Sequence, residues 1–277
     1  MSFTGNISRK FFKDILEELY AEYNRREFVP PDPLQFLYGY DDLCDREIAA
    51  LIASSLAYGR VVQIQRSVSC VLEQMPSPSV FLKEASPRLL RCMFHDFKHR
   101  FTSGKELSSM LLGIKNVIER YGSLYACFRA GLKEGDGTVI PALSTFVREL
   151  NAPEDGWCNF FLPSPMKGSA CKRLHLFLRW MVRCDEVDPG GWADVPASKL
   201  IVPLDTHMHR ICFMLGLTNR RQADMRTAVD ITTAFRAISP DDPVRYDFVL
   251  TRLGIRKKLD LNAFLKKCAV PEAAVIA

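Results

Sequence analysis

Apolar residues recur along most of this chain at helical rather than alternating spacing. In Phe11-Phe-Lys-Asp-Ile-Leu-Glu-Glu-Leu-Tyr20 they stand at i, i+4 and i+8, the stripe of an amphipathic helix. Asp45 to Ala57 is apolar through most of its length, which predicts a central helix buried on several sides. Tyr58-Gly59-Arg60 interrupts that run before a further helix from Val61 to Glu73. Pro76-Ser-Pro-Ser79 opens a short helix. Further helices are expected over Gly104–Glu119, Tyr121–Leu132, Thr138–Leu150, Ser169–Arg183, Asp205–Leu215, Ala223–Ala237 and Tyr246–Leu253. Val29-Pro-Pro-Asp-Pro33, residues 151–168 with Pro153, Pro163 and Pro165, and Asp188-Pro-Gly-Gly-Trp192 are breaks. Strand alternation is weak and no repeat or low-complexity segment is present, so the expected fold class is all-α.

The most informative stretch is Ile201-Val-Pro-Leu-Asp-Thr-His-Met-His-Arg-Ile211. An apolar approach ends in Asp205, and Met208, Ile211, Cys212 and Leu215 then follow with helical periodicity. Asp205 therefore reads as a helix N-cap, a carboxylate fixed in direction and kept ionised by the positive end of the helix dipole. Upstream, Phe161-Leu-Pro-Ser-Pro-Met-Lys-Gly-Ser-Ala-Cys-Lys-Arg reads as a tight turn feeding a helix, with Lys172 in its first turn. A cation there is electrostatically unfavourable, and burial plus the dipole would lower a lysine pKa, the route by which an amine becomes nucleophilic. Cys171 at the same helix start reads as a lowered-pKa thiol or, without a positioned histidine, as a packed small residue.

Composition narrows the classes. The 277 residues, 48% apolar, suffice for a substantial core, and no run of eighteen apolar residues marks a membrane span. The first ten residues lack an apolar signal core. Nine scattered cysteines without a CxxC pair are those of a reducing cytosol and suggest buried thiols, so a cytoplasmic location is expected. Only Cys212 and Cys268 follow Asp205, which leaves no four-cysteine set for an iron–sulfur cluster near the C-terminus. A net charge of +5 permits a polyanionic partner without requiring one. Lys98-His-Arg100, Lys167, Lys172-Arg173, Arg220-Arg221 and Arg256-Lys-Lys258 all fall near expected loops or helix ends, where phosphate contacts are made.

The order of a small-residue hairpin, a lysine at a helix start, and Leu-Asp-Thr-His at the next helix start resembles the helix-hairpin-helix DNA glycosylase superfamily. Endonuclease III and the 8-oxoguanine glycosylases belong to it. The matching positions are Gly168, Ala170 and Lys172, then Leu204-Asp-Thr-His207; the buried run Arg46 to Arg60 is similar as well. The similarity spans roughly Pro33 to Lys258, and more narrowly looks like an uncharacterised bacterial family related to those enzymes. Two departures stand out: the second hairpin glycine is Ala170, and Lys172 and Asp205 are 33 residues apart, longer than in endonuclease III. Aligning on Leu162-Pro163 would make Lys167 the family lysine instead.

The resemblance implies a two-lobed helical domain, with 1–32 an N-terminal extension, 33–150 a helical lobe, 151–262 the hairpin and catalytic lobe, and 263–277 a tail. It implies base excision with AP-lyase capacity on double-stranded DNA by a monomer, with oxidised purines the weakly preferred target. Lys172 would be the nucleophile and Asp205 its assistant. Lys167, Gly168, Ser169, Ala170 and His207 would contact DNA, and Tyr58 and Arg60 would fill the vacated space in the duplex. No cofactor is implied beyond a structural monovalent cation at the hairpin. Trp157, Trp180 and Trp192 suit either base stacking or the core, with the core favoured. One alternative is a DNA-binding accessory protein without turnover.

A second alternative, a helical metal-dependent hydrolase, would use Asp205, His207 and His209. Residues two apart on a helix point to different faces, which argues against convergence. His95 and His99, four apart, would share a face if helical, but no carboxylate pattern completes a site.

Overall fold

A computed structural model describes residues 9–151, 162–253 and 260–269. In chain order these form α1 (Arg9–Tyr23), α2 (Leu43–Ser55), α3 (Val61–Leu72), α4 (Pro78–Glu84) and α5 (Pro87–Met93). Then come two short antiparallel strands, β1 (Lys98–His99) and β2 (Thr102–Ser103), and α6 (Gly104–Tyr121), α7 (Leu124–Gly131) and α8 (Ile140–Leu150). The chain continues through α9 (Lys172–Val182), α10 (Thr206–Met214), α11 (Met225–Arg236), α12 (Asp247–Arg252) and α13 (Leu261–Ala269). The all-α expectation holds, since the strand pair is the one sheet among the described residues. Trp157, Cys158, Phe161 and the Arg256-Lys-Lys258 cluster lie outside the described residues.

The apolar run of α2 explains the architecture. Ile48 to Ala53 are all fully buried, and α2 packs against α9, α4 and α7. Its alanines let the neighbours approach closely. Glu47 on the same helix is 1% exposed; its carboxylate accepts the Leu124 and Tyr125 N–H groups (2.6 and 3.0 Å) and the Trp192 Nε1–H (3.1 Å). It thereby satisfies the free donors at the start of α7. Trp192 closes an aromatic cluster with Phe128, Phe146 and Phe177, and Trp180 is also fully buried. Both tryptophans are core residues.

A buried ionic network holds the other end of α9. Arg179 joins Asp188 (3.0 Å) and Asp247, while Arg183 joins Asp188, Asp185 (2.8 Å) and Asp242 (2.9 Å). Tyr20 of α1 donates to Asp185 (2.8 Å), so the network ties the first helix to the last third of the chain.

Five elements depart from expectation. The strand pair and α5 lie between the short helix opened at Pro76–Ser79 and the helix from Gly104, where no element is expected from the sequence; two-residue strands are too short to show alternation. Helix α9 starts at Lys172 rather than Ser169: Ser169 bridges to Asp224, and Cys171 takes a left-handed conformation (φ 46°) that a helix cannot continue through. Helix α13 begins inside the segment read as catalytic lobe and runs into the tail. The cysteines also divide: Cys127, Cys171, Cys212 and Cys268 are buried as expected, but Cys70, Cys92 and Cys184 are exposed.

Candidate active site

Residues Leu200 to Leu204 approach the site as a buried apolar segment, pinned where the Val202 N–H donates to Thr232 Oγ1 (3.0 Å). This fixes where Asp205 emerges. Asp205 caps α10 as its sequence position suggested, its Oδ1 accepting the Met208 N–H at 2.8 Å. The other carboxylate oxygen, Oδ2, lies 3.0 Å from Lys172 Nζ, the first residue of α9. Two helix N-termini separated by 33 residues thus present a cation and an anion to each other.

Energetics argue against a purely structural role for that pair. The side chains are 33% and 30% exposed, and an ion pair so open to solvent contributes under about 1 kcal/mol. A lysine in a first helical turn opposes the dipole by about 0.3–1 kcal/mol, which consumes most of that gain. Burial would raise the Asp205 carboxyl, but the Lys172 charge and the Met208 N–H bond outweigh it and hold the group below its ordinary range. Asp205 is therefore an ionised acceptor at neutral pH.

The hairpin is positioned by α11. Pro165–Lys167 form a single 3-10 turn, Gly168 closes it with φ +83°, and the Met225 N–H donates to the Gly168 carbonyl (3.0 Å). A Cβ on Gly168 would meet nothing within 4 Å, so its glycine is required by the backbone angle and not by close packing. Lys167 and Ser169 are exposed and Ala170 is buried. Asp205 pairs with Lys172, and Lys167 sits five residues upstream on the exposed turn. The Gly168 carbonyl accepts the Met225 N–H, which ties the hairpin to the start of α11.

Cys171 is buried, its thiol pushed up to about 11 by burial, against smaller opposing effects of Ser169 and Arg173. It is a packed residue and not an activated thiol. His207 Nε2 meets the Leu253 carbonyl (2.8 Å) and His209 Nε2 meets that of Arg220 (2.9 Å), so the two rings diverge, as residues two apart on a helix should. His95 is exposed beside Asp96, whereas His99 lies buried on β1, so the two do not share a helical face. Among the described residues no three His, Cys, Asp or Glu side chains converge to hold a metal ion.

Tyr58 and Arg60 enter from the loop after α2. The Tyr58 hydroxyl donates to the His99 carbonyl (2.9 Å) and shares a bond with Thr102 Oγ1 (2.6 Å), while Arg173 lies over its ring at 5.0 Å. Arg173 also donates to the Ser55 carbonyl (2.8 Å). The loop is thereby fastened to the residue next to Lys172. Arg60 is exposed at the start of α3. Arg220 is engaged internally, with Asp224 (3.0 Å) and Thr227 (2.9 Å).

Sequence reasoning missed the β1–β2 hairpin that holds Tyr58; the one signal available was its basic Lys98-His-Arg100 cluster. No helix of the described residues is long and apolar enough to cross a membrane. Comparison with curated proteins and with solved structures returns no match. A family model does match, over residues 32–256, a span that holds α2, the hairpin, Lys172 and Asp205 and covers well over half of the chain. The chain therefore belongs to the family described as protein of unknown function (DUF2400).

Proposed function

We propose that this protein is a DNA base-excision glycosylase with AP-lyase activity, acting on double-stranded DNA. The observation that carries the reading is the 3.0 Å approach of Lys172 Nζ to Asp205 Oδ2 at two helix N-termini, partly open to solvent. A glycosidic bond inside a base stack is out of reach, so the damaged nucleotide is turned out of the duplex. Asp205 takes the ammonium proton, and the neutral Lys172 amine forms a bond to the sugar C1′. The C1′–N bond breaks, its electron pair leaves with the base, and the base takes up a proton. Opening of the sugar ring gives a protonated Schiff base, from which loss of a C2′ proton expels the 3′ phosphate. In the alternative role, with the ammonium proton lost to solvent, Asp205 stays ionised and stabilises positive charge developing on the sugar.

The exposed turn at Lys167 to Ser169 supplies contacts to a phosphate without reading sequence. Arg60 supports the strand beside the extruded nucleotide; Tyr58 braces the loop instead of leaving it, since its hydroxyl is held by the β1–β2 pair. Oxidised purines are the preferred substrate class, because the long Lys172–Asp205 separation resembles that of the archaeal 8-oxoguanine glycosylase more than that of endonuclease III.

Borohydride reduction on duplexes carrying an abasic site, 8-oxoguanine or thymine glycol tests the proposal. The expected result is a covalent protein–DNA adduct, lost in Lys172→Gln and kept in Lys167→Gln. Retained DNA binding with no adduct on any substrate would leave the binding-protein reading.

A further inference from the structure

Helix α12 holds both halves of the candidate site. Its first residue, Asp247, accepts from Arg179, which lies about two turns beyond Lys172 on α9. Just past its end, the Leu253 carbonyl meets His207 Nε2 (2.8 Å), two residues after Asp205 on α10. The helix also packs along α10. One short helix therefore ties together the two that carry Lys172 and Asp205, and Asp247 is the carboxylate it brings to them.

Asp247 differs from the ionic network behind it. Asp188 uses both of its oxygens, Oδ1 on Arg179 and Oδ2 on Arg183. Asp247 gives only Oδ2 to Arg179, and its Oδ1 is buried without a hydrogen-bond partner. Arg179 is already paired without it, since Asp188 takes its Nε–H and an Nη2–H (3.2 and 3.0 Å). The network sets Arg179 and Arg183 against Asp185, Asp188, Asp242 and Asp247, and so carries surplus negative charge.

Asp247 is the member of that network that feels the site. Burial pushes it up to about 6 and Arg179 opposes the rise; Asp205 then adds to it more than Lys172 relieves it. Asp247 therefore lies on the Asp205 side of the ion pair. The buried Cys212 thiol of α10 is raised by burial and then by the charges of both Asp247 and Asp205, which sets the two carboxylates around one stretch of that helix. From α9 Asp247 is faced by Arg179 and Lys172, and from α10 by Asp205 and Cys212. Glu17 of α1 is taken up by Arg245 (3.0 Å) and Tyr246 (2.7 Å), and Arg252 of α12 by Asp32.

Coulomb interactions are mutual, so an ionised Asp247 favours a proton on Asp205 more than it favours one on Lys172. We propose that Asp247 is a positioning residue for the Lys172–Asp205 pair: anchored to α9 by Arg179 and set against α10, its buried charge drives the ammonium proton from Lys172 Nζ to the Asp205 carboxylate and so sets the fraction of lysine able to attack. The inference rests on the glycosylase reading above and adds to it a buried residue outside the ion pair.

Single-turnover borohydride trapping on a duplex with an abasic site tests it. Asp247→Asn keeps an oxygen for Arg179 and removes the charge; at neutral pH it should trap about five-fold more slowly than wild type, as loss of one charge acting unequally on two nearby sites would. In an Asp205→Asn background, where no carboxylate receives the proton, Asp247→Asn should add no further loss. The wild-type rate should fall by the same factor as Asp247 takes its proton, in a step near pH 6 that Asp247→Asn lacks. Asp247→Asn that traps as fast as wild type overturns the inference and leaves the glycosylase reading intact. An equal loss in both backgrounds makes Asp247 a support of the fold alone and overturns it too. If Asp247→Asn does not fold, a wild-type profile without a step near pH 6 overturns it. Wild-type protein that forms no adduct overturns both readings.

Discussion

Asp205 serves two purposes that substitution can separate. Its Oδ1 caps α10 through Met208 N, and its Oδ2 faces Lys172 Nζ. Asparagine is as good an N-cap as aspartate, so Asp205→Asn keeps the first contact and loses the charge of the second. The lost ion pair is about one-third exposed on both sides, so the stability cost stays under about 1 kcal/mol. Alanine removes the cap as well, adding about 1 kcal/mol, a further fall of about 2–4 °C in Tm. The chemical consequence should not follow that order. Both variants lack the group that takes the lysine proton, and both should slow adduct formation by about 10²–10⁴-fold. Thermal unfolding and single-turnover borohydride trapping on the same preparations read the two effects. Asp205→Asn as unstable as Asp205→Ala would refute the cap. Asp205→Asn that traps DNA at the wild-type rate would refute the catalytic carboxylate, whatever its stability.

Other expectations follow from the core. His175 is 1% exposed with no hydrogen-bond partner at either ring nitrogen, and burial pushes it down to about 4. The unfolded ring takes a proton near pH 6.5 and the folded ring resists, so its contribution is intact above pH 6.5 and falls by about 3 kcal/mol as pH drops to 4. His175→Leu should gain that amount relative to wild type between pH 7 and pH 4 in urea titrations; parallel pH curves would contradict it. Asp188→Asn leaves Arg179 and Arg183 without their shared carboxylate and should cost about 3–5 kcal/mol in denaturant unfolding; a loss under about 1 kcal/mol would mean the network is not closed. Gly113→Ala places a Cβ 2.1 Å from the Leu150 carbonyl oxygen, where α6 meets α8, and should cost about 1–3 kcal/mol, read by thermal melting.

Periodicity located most helices, because a stripe or run of apolar residues is a local signal. The buried character of α2 was visible in Ile48 to Ala53, and the cap at Asp205 in the abrupt change from Leu204 to a carboxylate. The partnership of Lys172 with Asp205 was not a local property. It depends on the packing of α9 on α2 and on the Leu200–Leu204 segment, which together bring residues 33 apart to 3.0 Å. The resemblance supplied that pair where spacing could not. Nothing in the spacing of Arg179 and Arg183 marks them as buried; they are so because Asp188, in the Pro/Gly-rich break, folds back under them. The strand pair escaped notice for want of length, and with it the anchoring of Tyr58.

Peptide mapping of the borohydride-reduced adduct tests the central claim most directly. After digestion of the DNA and the protein, the reduced sugar remnant should be found on Lys172 by mass spectrometry. A remnant on Lys167 or on the N-terminal amine, with Lys172 unmodified, would contradict the assignment of Lys172 as the nucleophile.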